Sequence, residues 1–158
     1  MNKKTKPTNL EEALGPAIYL HVGICLLKAG LNFRILFNEA LKEMGVVPPQ
    51  FGLLSILRER GNASQIDLGQ WMNIDKATMV KMVDGLEDLK YVRRIACSED
   101  RRVKFIELTS SGLTAQKKMN KIHAKVEEKF FRNLSEKEKK SLGEITRKLM
   151  SQKISAQT

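Results

Sequence analysis

The chain has 158 residues, 42% hydrophobic and 29% charged, with 28 Lys plus Arg against 18 Asp plus Glu and a formal net charge of +10. That length suits one domain with a sizeable core, and the composition is globular rather than disordered. Two Cys cannot build a disulfide framework, and the longest uncharged apolar stretch, 17–27, stops at Lys28, short of the about 20 residues a membrane span needs.

Residues 1–8 read as a polar arm, with no apolar core and cleavage site of a signal peptide, so a cytoplasmic location is expected. Asn9 and Glu12 have the spacing of a capping box, interrupted by Gly15-Pro16. Residues 17–44 then predict a long helix that is apolar nearly all round. A helix with that perimeter in a small domain implies a second chain. Gly45 ends it, and Pro48-Pro49 can open a helix that closes at Gly61. Ser64 has Asp67 three residues on, which predicts a capped helix over 65–71, and Asp75 can cap another over 75–89. Residues 91–96 and 103–108 are β-prone runs around a polar tip at 97–102, the pattern of a hairpin. Ser110 or Ser111 can cap a long helix to about residue 131. Ser135 and Glu138 form a capping box for a last helix with the stripe Leu142, Ile145 and Leu149.

The expected architecture is mainly α with a small β-hairpin wing: a winged helix-turn-helix flanked by N- and C-terminal dimerisation helices. All of 1–158 is taken as one domain, with dimerisation helices at 17–44 and 110–155 and the winged module at 46–108. Ile66, Leu68, Met72, Ile74, Val83 and Leu86 are its predicted small core, and Gly69 is the small residue where two helices approach closely. In such modules the second helix enters the major groove of double-stranded DNA and its N-terminal residues meet base edges. Lys76, Thr78 and Lys81 are then the candidates on its exposed face. Ser64 and Gln65, with the free amides of their helix start, are placed to hold a phosphate. Arg101 and Arg102 at the wing tip could reach a narrow minor groove. The charge is unevenly spread, net +3 over 1–60, zero over 61–108 and +7 over 109–158. Asp84, Glu87 and Asp88 sit on the later turns of the reading helix, away from its groove-entering end.

Gln65-Ile66-Asp67-Leu68, Ile74-Asp75-Lys76-Ala77-Thr78, Val83-Asp84-Gly85-Leu86-Glu87, Val92-Arg93-Arg94 and Asp100-Arg101-Arg102 before Leu108-Thr109 resemble the MarR family of multiple-antibiotic-resistance-type transcriptional regulators. The resemblance covers about residues 14–113. It implies a homodimer with interlocked terminal helices, two winged modules on a pseudo-palindromic operator, and repression relieved by a small aromatic or lipophilic anion. It also implies that Arg102 of the family's Asp-x-Arg wing motif is the minor-groove residue and that Asp100 orients the wing. Three positions depart from the family pattern. Val80 stands where a hydroxyl is frequent, so an apolar contact to a thymine methyl replaces a hydrogen bond. Gly85 stands where a basic residue is common, and Lys90 replaces a glycine at a helix end where left-handed backbone is expected.

No catalytic motif is present: no Gly-rich phosphate loop, nucleophile elbow or zinc-hydrolase His motif. No cofactor or metal is expected. His21 and Cys25 lie four apart on one helix face, but a structural zinc site needs four ligands. Two alternatives remain open. One is a thiol-based redox sensor through Cys25 or Cys97, the latter among Arg93, Arg94, Arg101 and Arg102. The other is a protein-interaction module that uses the basic C-terminal helices.

Overall fold

The computed structural model describes Glu12, Gly15, residues 21–96 and residues 104–151. The expected capping turn at Asn9 and the wing tip at 97–102, with Cys97, Asp100, Arg101 and Arg102, lie outside the described residues.

Helix α1 spans Val22–Leu41 and tightens into a 3-10 turn at Lys42–Met44. It ends at Gly45, whose left-handed φ of 68° glycine adopts without strain. Only Phe37 and Leu41 of α1 are buried. Val22, Ile24, Leu27 and Ile35 stand on the surface, Leu27 at 75% exposure. Helix α2, Pro48–Arg60, starts on the proline pair. It buries Leu53, Leu54 and Leu57, with Phe51 and Ile56 partly covered. A three-residue strand β1, Asn62–Ser64, follows. Helix α3 is Gln65–Met72 and helix α4 is Lys76–Asp88. Strands β2 (Val92–Ala96) and β3 (Lys104–Leu108) form the expected hairpin. The sheet order is β1-β3-β2, antiparallel throughout, with Ala63 and Arg94 both opposite Ile106. Helix α5, Ser110–Phe130, carries the chain back across α1 and α2. Helix α6, Glu136–Met150, opens on the Ser135–Glu138 capping box and has no buried residue.

Three expectations are corrected. Ile66 is not in the core: it is 67% exposed, while Leu68, two residues on, is fully buried. Residues two apart on a helix lie about 200° from each other, so an eight-residue helix can face only one of them inward. Met79 and Met82 fill the module's interior beside Val83 and Leu86. The cap of α5 is Thr109 rather than Ser110 or Ser111: its Oγ1 accepts from Gly112 N at 2.9 Å and donates to the Lys90 carbonyl at 2.6 Å. Strand β1, finally, joins a sheet that the sequence shows only as a hairpin.

Lys90 adopts a φ of 59°, the left-handed conformation that its place at the helix end requires. Its carbonyl takes hydrogen bonds from Thr109 and Ser111, both at 2.6 Å, which fixes the start of α5 against the end of α4. The junction is tight, because a Cβ on Gly112 would stand 1.8 Å from the Tyr91 carbonyl oxygen.

Candidate nucleic-acid interface

Helices α3 and α4 form the helix-turn-helix. Ser64 caps α3, its Oγ accepting from Asp67 N at 3.0 Å and donating to Asp67 Oδ2 at 2.7 Å. Between the helices, Asn73 takes a left-handed φ of 51° and Ile74 N donates to Gly69 O at 2.9 Å. A Cβ at Gly69 would lie 3.0 Å from the Ile74 carbonyl oxygen, so a larger residue would have to push the turn apart by a few tenths of an ångström. Asp75 caps α4 twice over: its carboxylate accepts from Thr78 N at 3.0 Å and from Thr78 Oγ1 at 2.6 Å. The bond from the Thr78 hydroxyl, followed by the backbone amide, holds the Asp75 carboxyl below its ordinary 3.8.

With Met79, Met82, Val83 and Leu86 turned into the core, α4 leaves Lys76, Ala77, Thr78, Val80 and Lys81 exposed. These include every reading-helix position expected from the sequence. Two of the expected contacts change character. The Thr78 hydroxyl proton is committed to Asp75, leaving the oxygen as acceptor and the methyl as an apolar contact. Ser64 is buried at 7% exposure with its hydroxyl proton committed to Asp67, so its side chain has no donor left for a phosphate.

Beside this face lies an open concavity of about 880 Å³ between α3, α4 and the root of the wing. Gln65, Ile66, Lys76, Val80 and Lys104 line it. Neither Ile66, expected in the core, nor Lys104 was expected on this surface from the sequence. Ile66 was hidden because its apolar character fits a core, and Lys104 because it is one of 28 basic residues.

Asp84, Glu87 and Glu107 are paired with the arginines of β2. Arg93 Nε bonds Glu107 Oε1 across the hairpin. Arg94 bonds Glu87 through Nη1, Asp84 through Nη2 at 2.5 Å, and Gln65 Oε1 through Nε at 3.2 Å. Among the described residues, Lys76, Lys81 and Lys104 have no carboxylate partner. The zero net charge of 61–108 therefore hides a local asymmetry, with three of its acids bonded to Arg93 and Arg94 of β2 and three lysines free of carboxylates on the exposed face.

On the other side of the module, α2 is tied in two directions. Gln50, itself buried, accepts from Val47 N at 3.0 Å and donates to the Met82 carbonyl of α4 at 3.2 Å. Arg58 donates to Gln116 of α5 at 2.8 Å. Phe33 and Phe37 of α1, Phe51 of α2 and His123 of α5 pack ring against ring, with centroids 5.0 to 6.0 Å apart along the chain of contacts. His21 stands exposed at the N-cap of α1 and Cys25 is half-buried on the same helix. No group of three or more potential metal ligands occurs among the described residues. No helix among them is long and apolar enough to cross a membrane.

The MarR family model matches residues 46–104, the stretch from the end of α1's turn to the start of β3. The chain is 31% identical over 113 residues to the HTH-type transcriptional repressor NicR of Pseudomonas putida, covering 71% of this chain and 72% of that protein. The chain belongs to the MarR family. It is 27% identical over 115 residues to the Bacillus subtilis HTH-type transcriptional regulator YwoH, covering 73% of this chain and 83% of that one. Solved structures share its fold. A MarR variant from E. coli complexed with operator DNA superposes with a TM-score of 0.73 at 20% identity, covering 90% of this chain and 99% of that one. Bordetella bronchiseptica BpsR, solved to explain regulation of its DNA binding by 6-hydroxynicotinic acid, gives 0.75 at 24%, covering 83% and 99%. This MarR-family chain is thus a winged-helix transcriptional regulator, and its relatives are regulators rather than enzymes.

Proposed function

We propose that the chain is a cytoplasmic, homodimeric repressor that binds a pseudo-palindromic operator through the helix at 75–89 and the wing at 97–102. The observation that carries this reading is the face of α4: its N-terminal turns present Lys76, Lys81, Thr78 and Val80 uncovered, with Asp84 and Glu87 held by Arg94 and Asp75 by Thr78. Lys76 and Lys81 bond guanine or phosphate, Val80 and the Thr78 methyl meet thymine methyls, and the start of α3 with Gln65 holds a phosphate. Arg101 and Arg102 enter the minor groove, with Asp100 orienting the wing.

The dimer is supported by apolar surface that one chain leaves in water. Val22, Leu27 and Ile35 on α1 and Ile145, Leu149 and Met150 on α6 are all 55% exposed or more, apart from Leu149 at 43%. Side chains of this size stabilise by roughly 1.5 to 3 kcal/mol each when fully buried, which gives a second copy ample reason to cover them. Two copies related by a two-fold axis present two reading helices to two half-sites.

Response to a small aromatic or lipophilic anion fits the way α2 bridges the dimer helices to the reader. Gln50 holds α4 and Arg58 holds α5, so a ligand that tilts α2 against the aromatic junction moves the reading helices. It acts by favouring a spacing of the two helices that mismatches the operator. Sedimentation of the chain with short duplexes tests the proposal. Two chains per duplex are expected, and a single bound chain, or no complex, overturns it.

A further inference from the structure

Arg94 uses all three of its guanidinium nitrogens on side chains of two helices. Nη1 and Nη2 take Glu87 and Asp84 of α4, while Nε takes the Oε1 of Gln65 at the first turn of α3. Its backbone N–H also donates to Glu87 Oε1 at 3.2 Å. One wing-strand residue therefore binds both helices of the reader.

The bond to Gln65 has a chemical consequence. A carboxamide carries one acceptor oxygen and one NH2 donor group, and a phosphate can only accept. Were the amide reversed, its NH2 would face the guanidinium, donor against donor, and its oxygen would face the groove. The Arg94 Nε–H decides between the two orientations. It anchors the oxygen and leaves the NH2 as the spare donor of a side chain that lines the concavity with Lys76 and Lys104. Among the described residues no other hydrogen bond uses the Gln65 amide nitrogen. The same guanidinium bonds Asp84, which lies one helical turn beyond Val80 on the exposed ridge.

We propose that Arg94 is a positioning residue for DNA binding: it fixes Gln65 with its amide donor toward the phosphate strand that runs between the major groove under α4 and the minor groove under the wing. The proposal rests on the operator-binding reading above. Lysine cannot substitute, because an ammonium has no planar set of donors to meet three acceptors at fixed angles.

The test is fluorescence anisotropy of the full chain on a labelled inverted-repeat duplex enriched from random DNA, over a series of salt concentrations. Variants are Gln65→Ala, Gln65→Glu, Arg94→Lys and the Gln65→Ala/Arg94→Lys pair, each checked by thermal melting. Gln65→Ala is expected to weaken binding about tenfold and to leave the slope of log K against log salt unchanged, because a neutral amide displaces no counterion. Arg94→Lys should do the same in the wild-type background and nearly nothing further in the Gln65→Ala background. Gln65→Glu keeps the acceptor for Arg94 but removes the donor, so it should fold normally and bind more weakly than Gln65→Ala. That comparison stands even if Arg94→Lys fails to fold. Additive losses in the pair, or a Gln65→Glu chain that binds no more weakly than Gln65→Ala, overturn the role of Arg94 alone. A wild-type chain that retains no duplex overturns it together with the operator reading.

Discussion

Gly112→Ala tests how the reading module is joined to the helices assigned to the dimer. Gly112 sits in the first turn of α5, and a Cβ there would be 1.8 Å from the Tyr91 carbonyl oxygen and 2.7 Å from its carbon. Neither is a flexible side chain, so the start of α5 and the end of α4 must part by more than about 1 Å. That movement breaks or stretches the bonds from Thr109 N to Tyr91 O at 3.1 Å and from the Thr109 and Ser111 hydroxyls to Lys90 O at 2.6 Å. Overpacking costs about 1 to 3 kcal/mol, and each of two or more lost hydrogen bonds about 1 kcal/mol. The sum, about 3 to 5 kcal/mol, is a large fraction of a typical domain's stability. At roughly 2 to 4 °C per kcal/mol for a chain of this size, melting followed by circular dichroism should fall by about 6 to 20 °C. Gly52→Ala is the control. Its Cβ would meet only the end of the Met72 side chain at 3.6 Å, and the gain in helix propensity should stabilise by about 1 kcal/mol. A Gly112→Ala protein that melts within about 2 °C of wild type would refute the account of this junction.

Leu27→Glu places a charge on the exposed apolar flank of α1, and sedimentation equilibrium should show the mass fall from two chains to one. An unchanged dimer would remove α1 from the interface. Arg102→Ala should weaken operator binding while leaving dimer mass and melting temperature unaltered, and gel shifts with sedimentation check both halves of that statement. Asp75→Ala should fray the first turn of α4 and lower the melting temperature at neutral pH. The native Asp75 carboxyl is depressed by its bonds to Thr78, so its stabilisation is complete above the ordinary value of 3.8 and is lost as pH falls through the lowered native one. The melting difference between Asp75→Ala and wild type should therefore persist at pH 5 and shrink below pH 3.8. A constant difference across that window would show the carboxylate is not the cause.

Much of the fold was legible because its signals are local. Ser64, Asp75 and Ser135 each pair a short acceptor side chain with a helix start within three residues, and Gly45 and Gly61 end helices in positive-φ conformations that favour glycine. What escaped was set by distant partners. Strand β1 is three residues long and exists through its pairing with Glu107, Ile106 and Phe105. Thr109, Ser110 and Ser111 offer the same capping chemistry, and among them it is Thr109 that accepts from Gly112 N. On the reading face, the exposed residues of α4 followed from helical periodicity once the core side was known. The Arg94 network did not, because its partners lie 7, 10 and 29 residues away on two other elements.

The measurement that bears most directly on function is selection of random duplex DNA by the purified chain at near-physiological salt, followed by sequencing. A dimer with two copies of the α4 face predicts enrichment of an inverted repeat with half-sites about one helical turn apart. Retention without a motif would mean phosphate attraction alone, and would contradict the assignment of Lys76, Thr78, Val80 and Lys81 as readers of sequence.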